Sequence, residues 1–184
     1  TGVQTCALPI CELPVLQARD DAAHRFFGVV LHMAHVGLHH VEAELLDHKH
    51  YAEWATLWSD SGQYIVPIDP DTEDFEATLN YAYDDARMRD LRIERLTAGY
   101  SPSAVDAAKT IRTVSRFRLV EAAGDLVEVN SAQVLYAYKR GVHTPFVADL
   151  NHRIRFTDGV PTLERKVVRL INSTDSLSAL GFLL

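Results

Sequence analysis

The chain is predicted to be α+β, with helices first and a meander of long antiparallel strands packed on them. Three observations carry this. Apolar residues recur at helical spacing between Leu38 and Trp58. From Thr110 the period changes to two and stays there to Ile171. Glycine-bearing turn signals, Ala123-Gly124-Asp125 and Asp158-Gly159, separate the alternating runs. Helices followed by consecutive strands give an α+β domain.

The elements follow in order. Leu38, Val41 and Leu45 stand at i, i+3 and i+7 and predict one apolar helix stripe. Tyr51, Trp54, Leu57 and Trp58 repeat that spacing after a break near His48-Lys49-His50. Asp60-Ser61-Gly62 is read as the end of this second helix, with Gly62 in the left-handed position beyond it. Tyr64-Ile-Val-Pro67 reads as a strand. Both tryptophans are assigned to core packing between helices and sheet. Residues 68–82 read as an acidic loop. A helix is predicted from Tyr83 to Leu96, with Asp84 and Asp85 at the positive end of its dipole and a ragged apolar face of Met88, Leu91 and Leu96. Gly99 and Pro102 break it.

Four strands complete the domain. In the first, Ile111, Thr113, Ser115, Phe117 and Leu119 alternate with Arg112, Val114, Arg116, Arg118 and Val120. Leu126 to Lys139 forms the second, and Gly141 to Pro145 is read as a turn. Phe146, Ala148, Leu150, His152, Ile154 and Phe156 give the third an apolar face. Leu163, Val167, Val168, Leu170 and Ile171 mark the last. The tail Leu177 to Leu184 is too apolar to hang in water, so it either closes the sheet or meets a neighbour.

With 184 residues, 47% hydrophobic and 23% charged, the chain fits one soluble globular domain. A net charge of −7 argues against a phosphate-gripping nucleic-acid binder. The longest apolar candidate for a membrane span, Phe26 to Leu38, is short and contains His32 and His35. A cytoplasmic protein is expected. Residues 1–10, Thr-Gly-Val-Gln-Thr-Cys-Ala-Leu-Pro-Ile, match what a common short-read sequencing adapter encodes in one frame and are set aside before fold reasoning. Residues 11–35 are either a native N-terminal segment or upstream DNA read in frame, with Met33 a natural start in the second case. The single domain is expected over 36–184.

Within that domain, Val41-Glu-Ala-Glu-Leu-Leu-Asp47, Tyr51-Ala-Glu-Trp54 and Tyr64-Ile-Val-Pro67 stand in an order and spacing that resembles the opening of the small (β) subunit of aromatic-ring-hydroxylating dioxygenases. The resemblance continues through Asp84-Asp85, Leu91-Arg92-Ile93, Arg95-Leu96 and Thr97-Ala98-Gly99. It includes Val129 to Arg140, His152-Arg-Ile-Arg155 and Arg165-Lys-Val-Val-Arg169. Ser115, and the loop Ser103 to Lys109, depart from the family pattern. The resemblance implies the cone-like fold shared with nuclear transport factor 2 (cystatin-like), in which a curled antiparallel or mixed sheet is packed with N-terminal helices. It also implies a non-catalytic small subunit that stabilises a large catalytic subunit in an α3β3 assembly for aromatic compound degradation.

Cysteine counting bears on the cofactors. A Rieske [2Fe–2S] centre needs two Cys and two His ligands, and the mononuclear iron two His and a carboxylate. With Cys6 set aside only Cys11 remains, so no Rieske cluster can be built here. The resemblance places both metal centres in the large subunit, and no catalytic, cofactor or metal residues are expected in this chain. Seven of the nine histidines fall between His24 and His50. His35, His39 and Glu42 have a spacing able to bind a metal, but His-Glu-x-x-His is absent and the segment is read as a solvated helix face. Arg112, Arg116 and Arg118 on one strand face are either a solvated face or a subunit contact. The alternative is a stand-alone isomerase or dehydratase of the same fold, using His152 as acid/base in a cavity shared with Tyr64.

Overall fold

The computed structural model describes residues 36–98, 108–175, 177 and 180–184. Helix α1 is described over 36–47 and is followed by a single turn of helix, α2 (Tyr51–Ala55). Strands β1 (Trp58–Pro67) and β2 (Asn80–Asp84) form a hairpin around the loop at 68–79, and α3 (Ala86–Thr97) follows. Strands β3 (Lys109–Ala123), β4 (Leu126–Lys139), β5 (Val142–Thr157) and β6 (Val160–Leu170) form the meander. All six strands join one curled sheet in the order β2-β1-β6-β5-β4-β3. Neighbours are antiparallel except β1 and β6. That parallel pair arises because the chain leaves β2 for the far edge of the sheet and returns strand by strand to β1.

Turn chemistry fixes the meander. Asp158 (φ 52°) and Gly159 (φ 80°) both take positive φ, as do Arg140 (φ 52°) and Gly141 (φ 83°). This is the pattern of a two-residue hairpin whose twist matches its strands. The second turn is therefore only Arg140-Gly141, and Pro145 lies inside β5 rather than in a turn. On β4, Val127, Val129, Leu135 and Ala137 point inward and are buried, while Tyr136 and Tyr138 point outward. The apolar face read for β5 is the inner face: Phe146, Ala148, Leu150, His152 and Ile154 are all buried.

Several sequence expectations are corrected. The second helix stops at Ala55, and Trp58 begins β1. Its ring still reaches the core, stacked edge-on with Trp54 (5.3 Å between centroids) and Tyr64 (6.4 Å). Gly62 does not end a helix; it lies in β1 where the register against β6 shifts. A Cβ there would meet the Leu163 carbonyl oxygen and the Trp58 ring at 2.8 Å each, so close approach requires the glycine. Strand β2 takes residues 80–82 from the expected loop and Tyr83-Asp84 from the expected helix; Tyr81-Ala82-Tyr83 alternates with Ala82 inward. Helix α3 begins at Ala86, because Asp85 is its N-cap and its carboxylate accepts the Met88 N–H at 2.8 Å. Met88 and Leu91 are exposed, and the buried position of α3 is Arg89. Its guanidinium donates to the Gly62 and Ser59 carbonyls and lies 4.4 Å from the Trp58 ring centre.

The helix α1 face is also rotated from expectation. Leu38 is buried as read, but Val41 is exposed; the other inward residues are His39, Glu42 and Leu46. On β3, Ile111 is exposed and Arg112 is buried. Further along, the pairing with β4 shifts between Ser115 and Arg118, where Arg116 takes positive φ. The three arginines therefore do not share a face. Phe182, Leu183 and Leu184 are buried in the main core, so the tail closes the cone. Ile65, Phe75 and Val167 form a second, smaller core. Among the described residues, no helix is long and apolar enough to cross a membrane.

Trp54 is fully buried at the point where α1, α2, β1 and the tail converge. Trp54→Ala is expected to cost about 3–5 kcal/mol, measured by urea unfolding. A midpoint equal to that of the parent would contradict this packing.

Candidate functional site

Strand register lines up a row of polar side chains across the inner face. Tyr64 on β1 is the Cα partner of Lys166 on β6, and Lys166 is the partner of His152 on β5. Lys166, Val168 and Leu170 share one phase of β6, so the lysine points inward with the apolar residues. Above this row lies Glu42, which α1 carries on its inward face. Its Oε1 accepts from Lys166 Nζ at 3.0 Å and from Trp54 Nε1 at 3.0 Å. Its Oε2 lies 3.2 Å from His152 Nε2. Two helices and two strands thus meet on one carboxylate.

The tail is held by the same set. Lys166 Nζ also donates to the Leu184 carbonyl at 3.2 Å. The Tyr64 hydroxyl accepts the Leu184 N–H at 3.1 Å and donates to the Leu184 carbonyl. Arg112 pairs with Asp47 at the end of α1 (Nε to Oδ1 2.9 Å) and donates from Nη2 to the Leu183 carbonyl at 3.1 Å. This explains why an arginine faces inward on β3: it joins the end of α1 to the tail.

Burial alone would raise the Glu42 pKa. The Lys166 charge, the His152 contact and the Trp54 N–H outweigh it and hold the carboxyl well below its ordinary range. Burial pushes His152 down from its ordinary value against the pull of Glu42, so its ring is neutral near pH 7. Burial also pushes Lys166 down, opposed by Glu42. Burial raises the Tyr64 hydroxyl to about 12, so it remains a neutral donor and acceptor. At neutral pH the cluster is one carboxylate matched by one ammonium, with neutral imidazole, indole and phenol around them.

His39, Glu42 and His152 place ligand atoms within 4.8 Å of one another, the donor set of a two-His, one-carboxylate metal site. A metal there would have to compete with what the structure already places beside Glu42. The cation beside Glu42 is already the Lys166 ammonium. The hollow between His39, Glu42 and Lys166 holds no free water-sized volume. Nor do the described residues include a cysteine for a Rieske cluster.

The acid/base candidates His152 and Tyr64 are held apart. His152 is 0% exposed and its ring lies edge-on to His39 at 4.2 Å. Tyr64 does not share a hydrogen bond with it and lines a different cavity. The reading of a solvated histidine face is corrected for His39, which is buried, while His40, His48 and His50 are exposed. His35 lies outside the described residues. Arg116 contacts Asp149 on the surface. Glu42 as an anchor and Lys166 altogether were missed in the sequence; the phase that Lys166 shares with Val168 and Leu170 was the available signal.

Glu42→Gln should destabilise the fold by about 3–5 kcal/mol at neutral pH, because it leaves the Lys166 ammonium buried without its counter-charge. The folded-state pKa of Glu42 is depressed. Its contribution is therefore fully present above the ordinary 4.5 and is lost as pH falls from there toward the folded value. Urea unfolding from pH 7 to pH 3 should show the gap between parent and variant narrowing below pH 4.5. A gap that stays constant would show that Glu42 is not ionised in the fold.

Comparison with known proteins places the fold in a family. The family model described as ring hydroxylating beta subunit matches residues 41–176. The small oxygenase component of the p-cumate 2,3-dioxygenase system of Pseudomonas putida is 34% identical over 121 residues, covering 64% of this chain and 67% of that one. Two solved structures share the fold. A beta subunit assigned to an aromatic-ring-hydroxylating dioxygenase of Novosphingobium aromaticivorans DSM 12444 has a TM-score of 0.70 at 16% identity, over 84% of this chain and 95% of that one. The beta subunit of the benzoate 1,2-dioxygenase of Burkholderia mallei ATCC 23344 has a TM-score of 0.63 at 18% identity, over 90% and 99%. With the family match spanning most of its length, the chain belongs to the beta subunits of ring-hydroxylating dioxygenases.

Proposed function

We propose that this chain is the non-catalytic small subunit of a cytoplasmic Rieske-type dioxygenase, supporting a large subunit in an α3β3 assembly that attacks aromatic compounds. The observation that carries this is how the inner polar groups are used: Glu42, Lys166 and His152 are paired with one another rather than facing a cavity. His152, the acid/base candidate on the inner face, is fully buried between Glu42 and His39. The name of the p-cumate relative, a small oxygenase component, supports the same reading. The Rieske cluster and the mononuclear iron then belong to the large subunit, and the single folded domain is 36–184.

The outer sheet face supplies surface for subunit contact. Ile111 (68% exposed) pairs across the β3–β4 ladder with Tyr136 (50% exposed), and Lys109 with Tyr138 (43% exposed). Exposed tyrosines beside an aliphatic side chain have the composition of an interface core. Arg112 is excluded from such a contact by its burial; Arg116 and Arg118 are accessible for one.

Mixed with its large subunit, the chain should give one particle of α3β3 mass by light scattering. Ile111→Asp combined with Tyr136→Asp should lower that assembly at least tenfold, with circular dichroism unchanged. A stable monomer that ignores the large subunit would reject the proposal and favour a stand-alone enzyme.

A further inference from the structure

A cavity of about 250 Å³ lies between the tail, α3 and the β2–β1–β6 end of the sheet. Its walls are mostly aliphatic and aromatic, with Val66, Leu96, Leu170, Leu180 and Phe182 prominent. The cavity opens to solvent at the edge where Tyr81 is 40% exposed, and its apolar walls gain by being covered with an apolar partner. An engineered apolar cavity of about 150 Å³ holds benzene, so this one has room for a singly substituted ring.

The polar groups in the lining limit the chemistry. Arg92 is held by both oxygens of the buried Asp84 carboxylate, so its charge is already matched. The Tyr64 hydroxyl is engaged by the Leu184 backbone, and the Tyr81 hydroxyl donates to the Ser173 carbonyl at 2.8 Å. A carboxylate would meet no uncompensated cation, and an ammonium no uncompensated anion. Desolvating either would cost more than the site returns.

We infer that the space beneath the C-terminal tail is a binding site for a small, neutral, apolar molecule of about one ring. The site is separate from the Glu42 cluster and does not rest on the assembly reading. Its selectivity comes from walls that exclude ions and from a roof, 180–184, that is pinned by Lys166, Tyr64 and Arg112.

Fluorine NMR of fluorobenzene with the full chain tests this. The resonance should shift and broaden when protein is added, toluene should reverse the change, and benzoate at the same concentration should not. Ala82→Leu, which fills the lining, should weaken binding at least tenfold. Leu96→Ala, at a partly buried helix position that tolerates truncation, should admit 1-fluoronaphthalene, which the parent excludes. A fluorobenzene signal unchanged by millimolar folded protein would overturn the inference. So would benzoate competing as well as toluene. If Ala82→Leu does not fold, the Leu96→Ala arm decides alone: equal binding of 1-fluoronaphthalene by parent and variant would place the ligand elsewhere.

Discussion

The Glu42 carboxylate is where the tertiary structure is tied together. One of its oxygens is shared by the Lys166 ammonium and the Trp54 indole, and the other faces His152. A buried carboxylate is expensive unless it is paired and its lone pairs are satisfied. Here both conditions are met by groups from α2, β5 and β6, so the charge is tolerable only when all three elements are in place. The lysine also carries the tail through the Leu184 carbonyl, and Arg112 repeats the device between Asp47 and Leu183. The polar row thus specifies the position of α1 against the sheet, which apolar contacts alone would leave free to slide.

Within this interior the ionisable groups are paired with one another. A small enzyme of the same fold needs an open cavity with an acid or base at its wall. In this protein Glu42 is paired with Lys166 and with His152 Nε2, and all three residues are buried. Their pKa directions are those of a charge pair with a neutral imidazole beside it. On the surface, the outward tyrosines of β4 and the exposed Ile111 beside them supply apolar area for a partner.

The sheet was legible in the sequence because period-two alternation and the glycine turns act locally. β4 and the Asp158-Gly159 hairpin stand where the residues place them. The family was legible too, from the spacing of short motifs. The helix faces were not. Hydrophobic periodicity puts Val41 inside and Glu42 and Arg112 outside, since isolated charges belong in water. The buried partners that reverse this lie 124 residues from Glu42 (Lys166) and 65 residues from Arg112 (Asp47). No local pattern encodes such distant pairings. For the same reason Arg89 was missed as the inward residue of α3: its acceptors are the Ser59 and Gly62 carbonyls in β1. Trp58 kept its burial but changed element, since aromatic spacing alone does not distinguish the last turn of a helix from the first residue of a strand.

The central claim is that the Glu42–Lys166 pair is structural rather than catalytic. It is tested most directly by the oxygen-uptake turnover of the reconstituted dioxygenase carrying Glu42→Gln together with Lys166→Met. The glutamine oxygen still accepts from Trp54, its amide faces His152, and the methionine fills the lysine channel without charge. Replacing a buried ion pair by neutral groups of similar volume is often close to neutral in stability. The account predicts a folded small subunit that assembles and supports turnover within about twofold of the parent. A folded, fully assembled enzyme whose turnover falls a hundredfold would contradict it and assign the pair a part in the chemistry.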